Sequence, residues 1–341
     1  MFDIKDLRKN IENLKIAVIG DYCLDQYWYM DSKFDKKLDY TNDIVFALTD
    51  IVYCPGGAGN VANNFVKLGA NVKCVGLIGD DGPGYQLIKC LENINVNVDN
   101  MIRIQEKETH TCVRPIRIIN NKNIALNEIL TFKFEATSKE TESQIKNILK
   151  NIINEVDVFV LVEQFDDNNK GIFTDNVREE IIRLAEIYRE KIFIVDSRKY
   201  INKYRNIYLK CNKNEFIETL SNVDLDETHI SELSRNLKEF KALFVTCGEN
   251  GMKLIDYDGT VSDIPAIKVE QEVNTCGAGD SATVGIVIGL YSNYDAKKSA
   301  LLGNIIASIT IKDLESTGYP TYEKLVETLK NNNLIKSEQY V

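Results

Sequence analysis

The 341-residue chain holds only two histidines, His110 and His229, and no C-x-x-C pair. Histidine- or cysteine-built zinc sites and a Ser-His-Asp relay have almost no material to draw on. Proline is sparse at five residues, and no Pro/Gly-rich linker, low-complexity tract or solenoid-period repeat divides the chain. A clean two-domain split is therefore not expected. Positive charge is in deficit, 41 Lys and Arg against 51 Asp and Glu, a balance of −10 that argues against a general polyanion binder. Local phosphate recognition survives that exclusion. The most apolar late stretch, Ala282 to Tyr291, is about half the length a membrane span requires. The opening MFDIKDLRKNIENLKIAVIGD is charged and helical before its first apolar run, unlike a signal peptide. The eight cysteines stand singly, as reduced thiols do, and not as a disulfide framework. A soluble, cytoplasmic protein is the expectation.

Hydrophobic residues make up 44% and charged residues 27%, a globular balance. KIAVIGD (Lys15 to Asp21) is a short apolar run ending in Gly-Asp, as a buried parallel strand does. NVKCVGLIGDD (Asn71 to Asp81), DVFVLVE (Asp157 to Glu163), KIFIVDS (Lys191 to Ser197) and ALFVTCG (Ala242 to Gly248) repeat the design. Helical stretches fall between them at Gly59 to Leu68, Gly84 to Asn93, Lys139 to Glu155, Asp175 to Glu190 and Ser231 to Phe240. That rhythm predicts a doubly wound α/β sheet with helices on both faces. Residues 23–53 and 111–134 break it with β-like alternation, and Asn120 to Asn123 reads as a hairpin turn. These two segments predict a small sheet projecting as a lid over the strand ends, where ligands bind in open α/β folds.

The strongest local motif is Asn274-Thr275-Cys276-Gly277-Ala278-Gly279-Asp280-Ser281, followed by an apolar helix. A Gly-Ala-Gly turn opening a helix points unpaired amides outward at the positive end of the dipole, which suits a phosphate. Asp280 then lies in the first turn, where its carboxylate can take a proton from a hydroxyl attacking phosphorus. An ordinary helix start around a tight turn accounts for the same spacing equally well. The second motif is Pro55-Gly56-Gly57-Ala58-Gly59-Asn60. Its spacing is not G-x-G-x-x-G; it brings backbone close to a small polar ligand, with Asn60 supplying an amide for hydroxyls.

Together these segments resemble the ribokinase-like (PfkB) family of carbohydrate kinases. The resemblance runs in order through Gly20-Asp21 to Asp25, Gly56 to Asn60, Gly76 to Gly84, Asn212 to Glu215, Val245 to Gly251 and Asn274 to Ser281. It implies one kinase domain over 1–341, with a lid from about 23–53 and 111–134. It further implies ATP and Mg2+ as cofactors. Asp280 would be the catalytic base, with Gly277, Ala278 and Gly279 as the anion hole. Asp25, Gly56, Gly57, Asn60 and Glu163 would contact the acceptor. Asn212, Thr246, Gly248 and Asn304 would bind nucleotide, and Glu215 with Asn212 would hold the metal through water.

Within the family, GDYCLDQYWY and the Gly56 to Asp81 segment are most similar to the kinase unit of bacterial heptose-phosphate kinases, whose lid is often a dimer contact. The chain departs from them at KFDKKLDYTNDI (Lys33 to Ile44), at Glu163 to Asp167, and at Asn274, where the family often has Asp near a monovalent cation. Alkali-ion dependence stays open on that ground. A fused nucleotidyltransferase half is not expected, since no H-x-G-H motif is present. The expected activity is ATP-dependent phosphorylation of a sugar or sugar phosphate. A nucleoside kinase of the same fold, a sugar- or nucleotide-binding sensor, and a Rossmann oxidoreductase are the alternatives. Arg114 and Arg117, three apart in a strand, point to opposite faces and read mainly as lid decoration. Arg198 and Lys170 are phosphate or ion-pair candidates.

Overall fold

β1 (Lys15–Gly20) is buried at every position after Lys15, as a strand must be when helices cover both faces of its sheet. The computed structural model describes residues 1–131, 136–220, 237, 239–314 and 317–335. Around β1 it builds a nine-stranded sheet. The further strands are β6 (Asn71–Gly79), β7 (Asn97–Ile104), β11 (Val158–Glu163), β12 (Ile192–Ser197), β13 (Tyr208–Asn212), β14 (Ala242–Thr246), β15 (Met252–Asp256) and β16 (Val261–Ile264). Their order is β16-β15-β14-β13-β12-β11-β1-β6-β7. All neighbours run parallel except β15, which is antiparallel to both β14 and β16.

Alternation along β1 sends Ile16 and Val18 into one core and Ala17 and Ile19 into the other. The first core packs under helices Ile4–Asn13, Ala58–Leu68, Gly82–Asn93, Ala278–Tyr291, Ala296–Thr310 and Tyr322–Asn331. The second lies under Lys139–Ile152, Asp175–Ile187 and Lys213–Leu220. Among the described residues no helix is long and apolar enough to cross a membrane.

The five strands read from the sequence are present; β7, β15 and β16 are added at the sheet's two edges, and β13 is inserted between β12 and β14. β7 escaped notice because it is a half-buried edge strand of mixed polarity, NVDNMIRI. β13, YLKCN, was hidden by a lysine among its apolar positions. The helices expected to reach Glu155 and Glu190 stop at Ile152 and Ile187. The helix expected over Ser231 to Phe240 lies mostly outside the described residues.

The lid is a second sheet of β2 (Tyr22–Asp31), β5 (Leu48–Gly57), β8 (Thr111–Ile119), β9 (Lys122–Ala125) and β10 (Ile129–Leu130). β2 is its central ladder, antiparallel to β5 and parallel to β8, with Asp25 opposite Cys54 on one side and Cys112 on the other. β8 and β9 form the expected hairpin with Ile119 paired to Lys122. Asn120 and Asn121 both take positive φ, 52° and 62°, as a two-residue turn that follows strand twist demands. A small ladder of β3 (Lys36–Lys37) and β4 (Ile44–Val45) caps the lid. Residues 132–134 of the expected lid lie outside the described residues.

Candidate active site

Asp21, Glu163, Asp196, Lys210 and Asn212 sit near or just past the carboxyl ends of β1, β11, β12 and β13, so these polar and charged groups gather along one rim of the sheet. The helix Ala278–Tyr291 begins at Gly277, whose φ of 76° and ψ of 2° are left-handed. A Cβ there would lie 2.8 Å from Asn60 Nδ2, so both backbone shape and space require glycine. No side chain caps this N-terminus. Ala278 donates its amide back to Thr275 O at 3.1 Å and Cys276 donates to Asn274 Oδ1 at 3.0 Å. The amides of Gly279 and Asp280 have no acceptor among the described residues. Of the expected anion-hole residues, Ala278 thus stiffens the turn while Gly279 leaves an amide free at the dipole's positive end.

Asp280 projects from the first turn of this helix and accepts a hydrogen bond on Oδ2 from Asn60 Nδ2 at 2.7 Å. One turn further along the first helix, and at the residue after Asp280 on the second, Asn64 Nδ2 donates to Ser281 Oγ at 3.0 Å in a buried position. These two bonds lock the GGAGN segment to the GAGD segment. The residue keeps some solvent access, yet protein surrounds its carboxylate. That burial, reinforced by the charge of Asp196, raises its pKa to about 6, while Asn60, Lys210 and Arg198 pull the other way.

β12 and β13 place Asp196 directly beside Lys210 in register. Lys210 Nζ donates to Asp196 Oδ2 at 2.7 Å, and Thr283 Oγ1 donates to the same oxygen at 2.9 Å. A Cβ on Gly279 would sit 3.0 Å from Lys210 Nζ, so this buried ammonium borders the anion loop. Despite burial, the surrounding carboxylates Asp196, Glu215 and Asp280 hold the Lys210 pKa above its usual value. Neither Asp196 nor Lys210 stood out in the sequence as a site residue. The available signal was the charged residue between Leu209 and Cys211, just ahead of N-x-x-E.

Asn212 ends β13 and Glu215 opens the next helix, where they cap each other. Glu215 N donates to Asn212 Oδ1 at 2.9 Å, and Asn212 N donates to Glu215 Oε2 at 2.7 Å. Burial and the nearby Asp196 charge raise the Glu215 pKa. The site therefore gathers Asp196, Glu215 and Asp280 around one buried lysine. Among the described residues no three metal-binding side chains converge tightly enough to clasp an ion unaided. A hard divalent ion fits this excess of carboxylate when water and phosphate oxygens complete its shell. Thr246 lies opposite Asn212 in the β13–β14 register, and Gly248 follows with φ of 60° and open space around its Cα.

On the lid side, Asp25 is buried beside Gly56, where a Cβ would come within 2.3 Å of Asp25 Oδ1. Gly57 takes φ of 58° and has Asp21 O at 2.4 Å from its would-be Cβ. Asp25 Oδ2 lies 3.2 Å from Arg114 Nη1, and Cys23 Sγ lies 3.1 Å from Asp25 Oδ1. Burial raises the Asp25 pKa and Arg114 opposes it. The reading of Arg114 as surface decoration is thereby corrected: it shares Asp25's face, and only Arg117 turns away, to Asp35.

One expected contact is corrected by its partners, and a second has its amide nitrogen already engaged. Glu163, placed with the acceptor contacts, is buried and turned inward. Its carboxylate pairs with Arg178 and accepts from Ser197 Oγ at 2.8 Å and Tyr204 OH at 3.1 Å. No side-chain oxygen is left to face a sugar; Glu163 instead fixes the start of the following loop. That loop donates Gln164 N and Phe165 N to Asp21 Oδ2 at 2.9 and 3.1 Å. Asp21, with its pKa raised to about 6 by burial, stands in the sequence as a strand end and as part of the Gly20-Asp21 to Asp25 resemblance, with no role of its own assigned. Asn304, expected on the adenine side, donates both amide hydrogens to backbone, to Ile264 O at 3.1 Å and Pro265 O at 2.9 Å. Its amide tethers the segment after β16.

A buried-sheet α/β core, an uncapped Gly-Ala-Gly helix start carrying a carboxylate, and a β lid above it define a phosphotransferase of the sugar-kinase class. The description "pfkB family carbohydrate kinase" matches residues 13–321, and the chain belongs to that family. It is 27% identical over 308 residues to "Bifunctional protein HldE" of Sulfurimonas denitrificans, covering 89% of this chain and 61% of that protein. It therefore spans less than two thirds of that relative's length. An "Uncharacterized sugar kinase" of Buchnera aphidicola subsp. Schizaphis graminum is 29% identical over 319 residues, covering 89% of this chain and 93% of the relative. Similar folds include the Arabidopsis thaliana ribokinase complexed with ribose and ATP, with TM-score 0.66, 16% identity, and 93% and 99% of the two chains covered. Phosphofructokinase-2 from Escherichia coli in complex with potassium has TM-score 0.69, 16% identity, and 94% and 99% covered.

Proposed function

We propose that this sugar kinase transfers the γ-phosphoryl group of ATP to a hydroxyl of a sugar or sugar phosphate, with Asp280 as general base. The observation that carries the reading is the Asn60–Asp280 hydrogen bond beside the free Gly279 amide. It unites acceptor-side and phosphate-side motifs on one carboxylate. Asp280 accepts the hydroxyl proton as that oxygen attacks phosphorus. The Gly279 amide, the helix dipole and the Lys210 ammonium stabilise charge on the transferring group. Asp25 and Asn60 orient the acceptor hydroxyls, and Asn212, Glu215, Thr246 and Gly248 form the nucleotide side. A bound Mg2+ would supply charge neutralisation at the phosphates, held through water by Glu215 and Asp196. The lid excludes water that would otherwise accept the phosphoryl group.

Residues 1–341 act, in this reading, as one kinase unit with its lid, in the cytoplasm. By resemblance the opening and GGAGN segments favour the acceptor class of the heptose-phosphate kinases, nucleosides being the alternative. The resemblance covers the sugar, and the lid cavity decides whether that sugar already carries a phosphate. The lid also carries exposed Phe34, Ile44, Val45, Ile129 and Leu130, a surface suited to a second copy of the chain. The functional test is an ADP-release screen with Mg-ATP over hexoses, heptoses, their phosphates and nucleosides. Turnover with at least one sugar supports the reading; Mg-ATP binding with no acceptor-dependent ADP release contradicts it.

A further inference from the structure

Beyond Asp25, the lid and the anion loop enclose a cavity of about 290 Å3 that the phosphoryl-transfer chemistry does not use. Tyr27 and Tyr29 of β2, Arg114 of β8, and Glu128 ahead of β10 form its lid wall; Cys276 and Leu314 lie on the opposite wall. Strand alternation puts Asp25, Tyr27 and Tyr29 on one face of β2, so this cavity continues the acceptor site outward.

Arg114 is the hinge between the two. Its Nη1 lies 3.2 Å from Asp25 Oδ2 and donates to Tyr27 OH at 2.6 Å, while its Nε donates to Glu128 Oε1 at 2.8 Å. The guanidinium also lies over the Tyr27 ring, 5.3 Å from its centroid. It is the one cation among the described residues lining the cavity. Two carboxylates already neutralise it, leaving a negative balance among the described residues. A phosphate entering here would have to displace a carboxylate and then face it as a like charge. The lid's other strand-borne arginine offers no reserve, because Arg117 pairs with Asp35 at 2.5 Å beneath the Phe46 ring. The Lys33 to Ile44 segment carries Lys33, Lys36 and Lys37, and none of them lines the cavity.

What the walls do offer is two tyrosine rings and Leu314 for C–H surfaces, with Glu128 and Tyr27 OH for hydroxyls. Resting on the kinase reading above, we infer that this cavity is a second acceptor subsite for an uncharged, partly apolar substituent of the sugar. It selects unphosphorylated acceptors over their phosphates. The Asp25–Arg114–Glu128 chain sets that preference, with Arg114 positioning Asp25 rather than binding an anion.

The test is ADP release with Mg-ATP over matched pairs, each hexose, heptose or nucleoside against its own phosphate. The neutral member of any pair that turns over has kcat/KM about tenfold or more above its phosphate. Glu128→Gln, at an exposed position, narrows that ratio by about tenfold by removing one carboxylate from Arg114, and leaves the KM for ATP unchanged. A wild-type preference for the phosphorylated member, or a ratio that Glu128→Gln does not move, overturns the inference and leaves the kinase reading standing. Absence of ADP release with every acceptor overturns the kinase reading itself, and the inference with it.

Discussion

Asn60 donates its side-chain amide to Asp280 across 220 positions of sequence, at 2.7 Å. The bond holds the carboxylate in one orientation and favours its ionised form, against burial and the neighbouring Asp196 charge. A base with a pKa near 6 is ionised at neutral pH, yet still basic enough to accept a hydroxyl proton as bonding to phosphorus develops.

That balance has a direct pH signature. kcat/KM should rise with pH through about 6 as Asp280 ionises. Asn60→Ala removes an interaction that lowers the pKa, so the rising limb should move to higher pH. Asp21 also has a pKa of about 6 but does not touch Asn60, and its contribution should stay in place. A pH–rate series on both proteins decides; an unmoved limb separates Asn60 from Asp280.

The same carboxylate should cost stability. Its folded pKa, about 6, stands above the ordinary carboxylate value of 3.8, so the unfolded chain ionises first as pH rises. Native stability is therefore lost between these two values and remains lower above them. Asp280→Asn should have a higher Tm than wild type at pH 8, with the difference shrinking below pH 4. Thermal unfolding at the two pH values checks this.

Glu215 carries two jobs that one substitution can separate. Glutamine at this position retains an oxygen to accept from Asn212 N, so the reciprocal cap at the helix start survives. The negative charge does not. Glu215→Gln should keep its Tm within about 1 °C, since capping is preserved, while the Mg2+ concentration for half-maximal rate rises about tenfold. A Tm loss with an unchanged Mg2+ requirement would assign Glu215 to capping alone.

The Arg178–Glu163 pair is buried on both sides, and Ser197 and Tyr204 complete the carboxylate's hydrogen bonds. Arg178→Met leaves that carboxylate uncompensated and should cost about 3–5 kcal/mol of unfolding free energy. Urea denaturation measures it. A loss below about 1 kcal/mol would mean that water reaches Glu163 readily.

The strand–helix rhythm and glycine motifs were legible because they are local: Gly277 needs a left-handed backbone, and β1 announces itself as an apolar run. The Asn120-Asn121 turn was legible for the same reason, each residue tolerating positive φ. Side-chain direction was not. Glu163 and Asn304 sit at the expected places in the fold, yet one turns into a buried ion pair and the other holds backbone carbonyls. Asp196 and Lys210 become neighbours only through the β12–β13 register, a long-range relation no local pattern encodes. Arg114 illustrates both limits. Spacing separated it from Arg117, but its pairing with Asp25 required β2 and β8 to lie side by side.

The most direct measurement compares wild type and Asp280→Asn in single-turnover phosphoryl transfer from Mg-ATP to an acceptor found in the ADP-release screen. Asn60 can still hydrogen-bond the new amide, so the fold and ATP affinity should persist. The transfer rate should fall by about 10^2 to 10^4. A transfer rate within about threefold of wild type, with binding intact, would contradict Asp280 as the base.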